Sequence, residues 1–262
     1  MTDEGRLIDE LAARATVARF DELVEGWWCK AAPDLPFRRC NAVLPPIGAA
    51  PAGDGSRFDD AIETVEGWYD GFRQRVIVQV STADPRWRAL DDVLARRGYE
   101  REAPVHLMVG PIPVMAPPAS DIDPTVEITI GVDPTWAARY GTAHGGDRAA
   151  QRRTEAYGRM LTELGDRAIG AAAVVDDRVA GVGLGVLDDE WLGIFGMGTA
   201  PWARRRGVAR AVVAGLSGAA SNRGAGRAYL QVETDNEPAR ALYEGLGFTR
   251  HHGYHYRVSG PA

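Results

Sequence analysis

Five prolines fall within the fourteen residues from 111 to 124, at positions 111, 113, 117, 118 and 124. Each fixes φ and lacks a backbone N–H, so neither a helix interior nor a central strand can run through the stretch. It reads as a linker, with a domain over 1–110 before it and another over 125–262 after it. Both lengths lie within the ordinary range for a domain. The length of 262 residues does not by itself choose between one large domain and two smaller ones.

Ahead of the linker, Leu7, Ile8, Leu11, Ala15 and Ala18 recur at helical spacing and predict a helix over 6–26. A strand is expected over 38–44 and a Pro/Gly/Ala loop over 45–55. Phe58, Ile62, Val65, Trp68, Tyr69 and Phe72 form a helical stripe, and 76–80 reads as a strand. Asp84 and Pro85 suit the N-cap and first position of a helix that ends at Gly98, before a strand over 105–109. Beyond the linker the pattern predicts a strand over 126–130 and helices over 134–140 and 150–164. Strands over 169–175 and 179–186 flank the turn Asp176-Asp177. A strand over 191–199, a helix over 208–222, a strand over 227–232, a helix over 237–246 and a strand over 255–258 complete an α/β chain of mixed (α+β) order.

Thirty basic residues against 36 acidic ones leave a net charge of −6, opposite to the basic excess of nucleic-acid domains. Cys29 and Cys40 lack CxxC spacing and read as free thiols of a reducing cytosol. No apolar run of about 18 residues is present, and the acidic N-terminus has no signal-peptide core. The expectation is a cytoplasmic protein, monomer or homodimer, without a nucleic-acid or membrane partner.

An internal echo links the two halves. Val78-Gln79-Val80-Ser81-Thr82 resembles Leu230-Gln231-Val232-Glu233-Thr234. Each is preceded by a helix, over 58–74 and 207–223. Each is followed by a helix, then Gly98-Tyr99 or Gly247-Phe248, then a strand. Matching order over several elements favours duplication of one fold.

The segment most informative about chemistry runs from Met197-Gly198-Thr199 at the end of a strand, through Arg204-Arg205-Arg206, to Gly207-Val208-Ala209 at the start of a helix. The first turn of a helix leaves N–H groups unpaired at its positive end. Small residues let a ligand approach the backbone there, which makes an anion site. An ordinary arginine-rich helix start is the other reading of the same residues. No Gly-Lys-Ser/Thr follows, so this is not a P-loop, and the glycine spacing is not that of a dinucleotide fold.

The strand, the Pro-x-x-Arg-x-x-Gly-x-Ala turn and its helix, and then Asn236, Ala239, Leu242, Tyr243, Gly247 and Phe248 together resemble the GNAT superfamily of acetyl-CoA-dependent N-acetyltransferases. The resemblance covers 125–258 closely. With the echo, it implies two tandem GNAT-like domains, each a mixed, mostly antiparallel sheet flanked by helices with a splayed central strand pair. The N-terminal copy would be degenerate, similar to the tandem mycothiol-synthase-like acetyltransferases of actinobacteria. Leu94 stands there where Tyr243 stands, and no phosphate signature is present.

The resemblance further implies acetyl-CoA as co-substrate and no metal. The backbone of Met197, Gly198 and Thr199 would pair with the pantetheine arm, and Arg204, Arg205, Arg206, Gly207, Val208 and Ala209 would hold the pyrophosphate. Asn236 would contact the cofactor arm, and Tyr243 would protonate the departing thiolate. The activity implied is acetyl transfer to a primary amine, on a small molecule or a peptide, by direct attack in a ternary complex. A non-catalytic acyl-CoA-binding sensor or partner-binding module on the same fold is the alternative. The general base is open: Glu190 and Glu233 at the strand ends, the histidines 251, 252 and 255, a water chain, or an amine that arrives deprotonated. As metal ligands these histidines lack a carboxylate or cysteine at ligand spacing.

Overall fold

The computed structural model of the protein describes residues 3–46, 56–112, 122, 124–144, 154, 155, 158 and 161–261. The part of the expected loop at 47–55, residues 113–121 and 123 of the proline-rich stretch, and most of the helix expected over 150–164 lie outside the described residues. In chain order the elements are α1 (Asp3–Arg14), β1 (Phe20–Val24), β2 (Trp27–Ala31), α2 (Ser56–Asp70), β3 (Ile77–Ser81), α3 (Trp87–Arg96), β4 (Glu100–Pro111), β5 (Thr125–Ile130), α4 (Pro134–His144), β6 (Ala168–Val175), β7 (Arg178–Asp188), β8 (Trp191–Thr199), α5 (Val208–Ser221), β9 (Arg227–Glu233), α6 (Glu237–Glu244) and β10 (Thr249–Val258).

They fall into two compact units. The first gathers 1–107, 232–236 and 250–262, and the second 108–231 and 237–249. The units therefore trade segments near the C-terminus, and the last strand of the chain is grouped with the N-terminal half.

In the first unit, β10 lies between β3 and β4, antiparallel to β3 with Tyr254 opposite Ser81 and Val258 opposite Ile77. The helix expected over 6–26 stops at Arg14. Its remainder is β1, which pairs with β2 as a hairpin. Glu25 (φ 49°) and Gly26 (φ 80°) both adopt left-handed backbone, as a two-residue hairpin turn requires. The strand expected over 38–44 is instead a short 3-10 turn, Arg38–Asn41, with Val43 making one bridge to Val78. Helix α3 starts at Trp87, after the expected Asp84 cap. The Asp84 carboxylate accepts from the Arg86 N–H at 3.0 Å in the preceding turn.

The core of this unit is built from Trp27, Cys29, Phe58, Ile62, Val65, Tyr69, Val78, Leu90 and Leu94. Both cysteines are free and buried, and burial pushes their thiols up to about 12 for Cys29 and about 11 for Cys40. Lys30, the sole lysine of the sequence, is 3% exposed. Its Nζ donates to the carbonyls of Ala13 (2.5 Å) and Thr16 (2.8 Å), placing a positive charge where α1 ends.

Asp91 on α3 accepts from His255 Nε2 and from Arg257 Nε, both at 2.7 Å. Burial alone would raise its carboxyl, but the bonds from Arg257 and His255 outweigh it and hold the carboxyl below the usual range. Burial lowers the His255 pKa more than Asp91 raises it, and Nδ1 of His255 is buried with no partner among the described residues. As pH falls below about 6.5, the unfolded chain takes up the His255 proton first, so stability declines. The stability from Asp91 is present above about pH 3.9 and lost as pH falls through its lower folded value. Asp91→Asn is expected to cost about 2 kcal/mol at pH 7 and to weaken the fall of Tm below pH 4. Thermal unfolding from pH 3 to 8 checks this; an unchanged Tm at pH 7 would overturn it.

In the second unit the strand order is β9-β8-β7-β6-β5. The pairs from β5 to β8 are antiparallel, and β8 and β9 are parallel. Ala143 and Tyr140 of α4 pack on Ala172 and Val182. A β-carbon at Gly181 or Gly183 would meet Val208 or Val212 of α5. Because side chains alternate along β7, α4 and α5 cover opposite faces of this sheet.

The echo is visible in the elements themselves. The run α2-β3-α3-β4 repeats as α5-β9-α6-β10. Tyr99 N–H donates to Leu94 O at 3.0 Å, and Phe248 N–H donates to Tyr243 O at 3.0 Å. Leu94 and Tyr243 thus occupy equivalent positions. Among the described residues no helix is long and apolar enough to cross a membrane.

Candidate functional site: an open strand edge leading to an amide cradle

Strand β8 carries the first part of the site. Its parallel ladder with β9 runs from Trp191 opposite Arg227 to Ile194 opposite Leu230 and stops there, although β8 continues to Thr199. On its other edge the register with β7 shifts between Val182 and Leu184: only Gly183 lies between them, while Gly196 and Met197 lie between their partners on β8. Two residues against one, a single extra residue on β8, make a bulge, and it falls just after the parallel ladder ends. From Gly196 to Thr199, β8 therefore has one edge on β7 and another with no ladder partner among the described residues. Met197 Sδ lies where a β-carbon on Gly183 would approach it to 2.7 Å, which puts its side chain on the α5 face.

The second part follows within a few residues. After a 3-10 turn at Pro201–Ala203, Arg205 (φ 61°) and Gly207 (φ 80°) are left-handed, and Gly207 caps α5. Left-handed backbone costs a non-glycine residue on the order of 1 kcal/mol or more. Alternating handedness turns successive N–H groups toward one concavity. The amides of Arg205 and Gly207 donate to no backbone carbonyl among the described residues, and the first N–H groups of α5 have no partner within the helix. Arg204, Arg205 and Arg206 are exposed and Val208 is buried. The cradle is made of main chain, with positive charge at its rim.

Tyr243 lies on α6 in the same unit and is 6% exposed. Its ring meets Phe248 edge-on at 6.0 Å, and burial pushes its phenol up to about 12. Glu190 is exposed in the turn before β8, where its carbonyl accepts from the N–H groups of Gly226 and Arg227. That is the closed end of the β8/β9 pair, and an extended strand puts it about 23 Å from Met197. The structure thus does not bring Glu190 to the open edge. Glu233 and Asn236 are exposed, joined by a bond from Asn236 N–H to Glu233 O at 3.1 Å; both fall in segment 232–236, grouped with the first unit. His251, His252 and His255 are in that unit too. His252 Nε2 is 3.0 Å from Asp9, and His251 and His252 share a 2.9 Å contact through their Nδ1 atoms. Among the described residues no cluster suits a metal ion.

On the α4 face the site contains two side chains that the sequence reading missed. Tyr140 and His144 stack at 4.1 Å between centroids. A β-carbon at Gly196 would sit 3.0 Å from Tyr140 Cε2, and one at Gly198 would sit 2.5 Å from His144 Cε1 and 2.8 Å from its Nε2. Glycines at 196 and 198 thus admit these rings against the open stretch of β8. The signal in the sequence is Trp136, Tyr140 and His144 at four-residue spacing, one stripe of a helix. A different face of α4 lines a cavity of about 610 Å³ with Asp133, Ala137, Gly141, Thr154 and Glu155.

The family described as "Probable histone acetyltransferase Rv0428c C-terminal" matches residues 2–257. The chain belongs to this family. Solved structures similar to this acetyltransferase-family chain share its fold. A GCN5-related N-acetyltransferase from Kribbella flavida is 14% identical with a TM-score of 0.71, over 99% of this chain and 96% of that one. A functionally unknown conserved protein from Staphylococcus epidermidis is 10% identical with a TM-score of 0.68, over 97% and 98%. A tandem GNAT protein from the clavulanic acid biosynthesis pathway, solved without AcCoA, is 14% identical with a TM-score of 0.62, over 78% and 70%. No curated protein matches the chain in sequence. The fold is the GNAT fold, and the family is one of acyltransferases.

Proposed function

We propose that this protein transfers an acetyl group from acetyl-CoA to a primary amine, on a small molecule or peptide, by direct attack within a ternary complex. One observation carries the reading: within a single unit, β8 runs on beyond the end of its ladder with β9 at Ile194, and from its last residue, Thr199, the chain reaches the amide cradle of Arg205 to Ala209 within a few residues. The cradle fits a pyrophosphate, because the left-handed turns at Arg205 and Gly207 and the positive start of α5 favour a compact anion. The open edge fits an amide-bearing arm, because its main-chain groups from Gly196 to Thr199 pair with no strand on that side among the described residues.

Acetyl-CoA, when bound, supplies an acyl group activated as a thioester. The amides of Arg205 to Ala209 bind its phosphates, with Arg204, Arg205 and Arg206 adding charge at the rim. The main chain of Met197, Gly198 and Thr199 orients the arm, and an N–H at the bulge polarises the carbonyl. Tyr243 holds a proton at its hydroxyl for the departing sulfur.

Titration calorimetry with acetyl-CoA, followed by CoA release against a panel of amines, tests the reading. Binding together with release on an amine is expected. Binding with no release on any amine would overturn catalysis in favour of an acyl-CoA-binding module, and absence of binding would overturn both.

A further inference from the structure

We propose that His144 is the general base of this site, taking the proton of the acceptor amine at Nε2. The inference rests on the acetyl-transfer reading above and supplies the base that reading lacks.

The tautomer comes from geometry. His144 Nδ1 lies 3.0 Å from the carbonyl oxygen of Tyr140. A carbonyl only accepts, so Nδ1 carries the hydrogen and donates it. In the neutral ring the lone pair is then on Nε2. Among the described residues Nε2 has no hydrogen-bond partner, and no carboxylate or cation pairs with the ring. Tyr140, stacked against it, is its titratable neighbour.

The location follows from the glycines. The Nδ1–Cε1–Nε2 side of the ring faces Gly198 so closely that a β-carbon there would lie 2.5 Å from Cε1, 2.8 Å from Nε2 and 3.0 Å from Nδ1; of the two nitrogens only Nε2 is left with a lone pair. Gly198 belongs to the part of β8 that has left β9. Nε2 thus stands over the α4 face of the stretch of β8 that has left β9, on an exposed side chain. Glu190, by contrast, sits at the closed end of the same strand.

The step balances. The amine nitrogen forms the new C–N bond with the acyl carbon, and one of its protons passes to Nε2. The C–S bond breaks with its electron pair on sulfur, and sulfur takes a proton from the Tyr243 hydroxyl. Exchange with water afterwards discharges His144 and restores Tyr243.

A capping role alone would use only Nδ1, and the variants separate the two. His144→Asn keeps a short N–H donor for the Tyr140 carbonyl but has no base; His144→Gln is the second variant in case the first folds poorly. Each is expected to lower kcat/KM by roughly 10²- to 10⁴-fold, to leave acetyl-CoA affinity within about twofold of wild type, and to abolish the acid limb of the pH profile. In the wild-type protein without ligand, ¹⁵N NMR is expected to show hydrogen on Nδ1, with a ring titration midpoint equal to that of the kinetic acid limb. Wild-type kcat/KM in either folded variant, or hydrogen on Nε2, would overturn the assignment of His144 while wild-type turnover leaves the acetyl-transfer reading standing. A wild-type protein that turns over no amine would overturn both.

Discussion

Gly207→Val is expected to weaken acetyl-CoA binding at least 100-fold while the protein stays folded. Gly207 holds φ 80°, ψ −6° as the cap of α5. A β-branched residue avoids that region at a cost of about 1–2 kcal/mol, and the N-cap position disfavours valine by about a further 1 kcal/mol. The backbone relieves this by rotating toward negative φ, which turns the N–H groups of Gly207 and Val208 out of the concavity they share with Arg205. Two or three lost charge-assisted bonds, at about 1.5–3 kcal/mol each, exceed the 2.7 kcal/mol that corresponds to about 100-fold. Gly207→Asn separates conformation from bulk, because asparagine tolerates left-handed backbone; its affinity is expected within about tenfold of wild type. Calorimetry on both variants, with circular dichroism as the folding control, gives the answer. Wild-type affinity in Gly207→Val would remove the cradle from the binding site.

What could be read in the sequence was local chemistry. The turn from Thr199 to Ala209 is legible because Pro201, Gly207 and the small residues at the helix start each have a backbone consequence within a few positions. The hairpin β6-β7 is legible for the same reason, since Asp176 and Asp177 form its turn with positive φ. The errors came where a pattern admitted two periods. Phe20 and Leu23 continue the apolar count of α1, yet they are 40% and 70% exposed on a strand, and the turn signal that divides the two, Glu25-Gly26, lies beyond them. The placement of 250–262 was not legible at all. β10 pairs with β3 about 175 residues earlier, and a strand's alternation does not name its distant partner.

The same limit applied to the base. Glu190 opens the strand expected to splay, but the ladder with β9 holds through Ile194, four residues later. His144 fell past the expected end of a helix over 134–140, since 141–144 adds only Ala143 to the buried face. Its relation to Gly198 is a contact between elements more than fifty residues apart, which only the packing of α4 on the sheet reveals.

Tyr243→Phe is expected to lower kcat by roughly 10²- to 10³-fold with acetyl-CoA affinity nearly unchanged. The ring remains to pack against Phe248, so the variant removes one hydroxyl and little buried surface. With the phenol at its ordinary value near 10, proton transfer to a thiolate whose thiol is near 8.5 would be opposed by only about 2 kcal/mol. Burial instead pushes Tyr243 up to about 12. Against a thiol near 8.5 in water, that difference would oppose transfer by about 4–5 kcal/mol. The same burial penalises the anion on sulfur, however, since desolvation raises every acid whose charged form is negative. A thiolate generated beside Tyr243 is therefore a stronger base than the same group in water, and the shift that disfavours donation from the phenol also favours acceptance by sulfur. The donor keeps its proton until the C–S bond begins to break. Leu94, at the equivalent position of the first half, lacks any such donor, so Leu94→Tyr is not expected to restore the missing half of Tyr243→Phe. Single-turnover kinetics with a thioester whose thiol has a lower pKa gives the decisive measurement. The rate lost in Tyr243→Phe should shrink as the leaving group improves, and a loss that stays constant across leaving groups would show that the hydroxyl does not protonate sulfur.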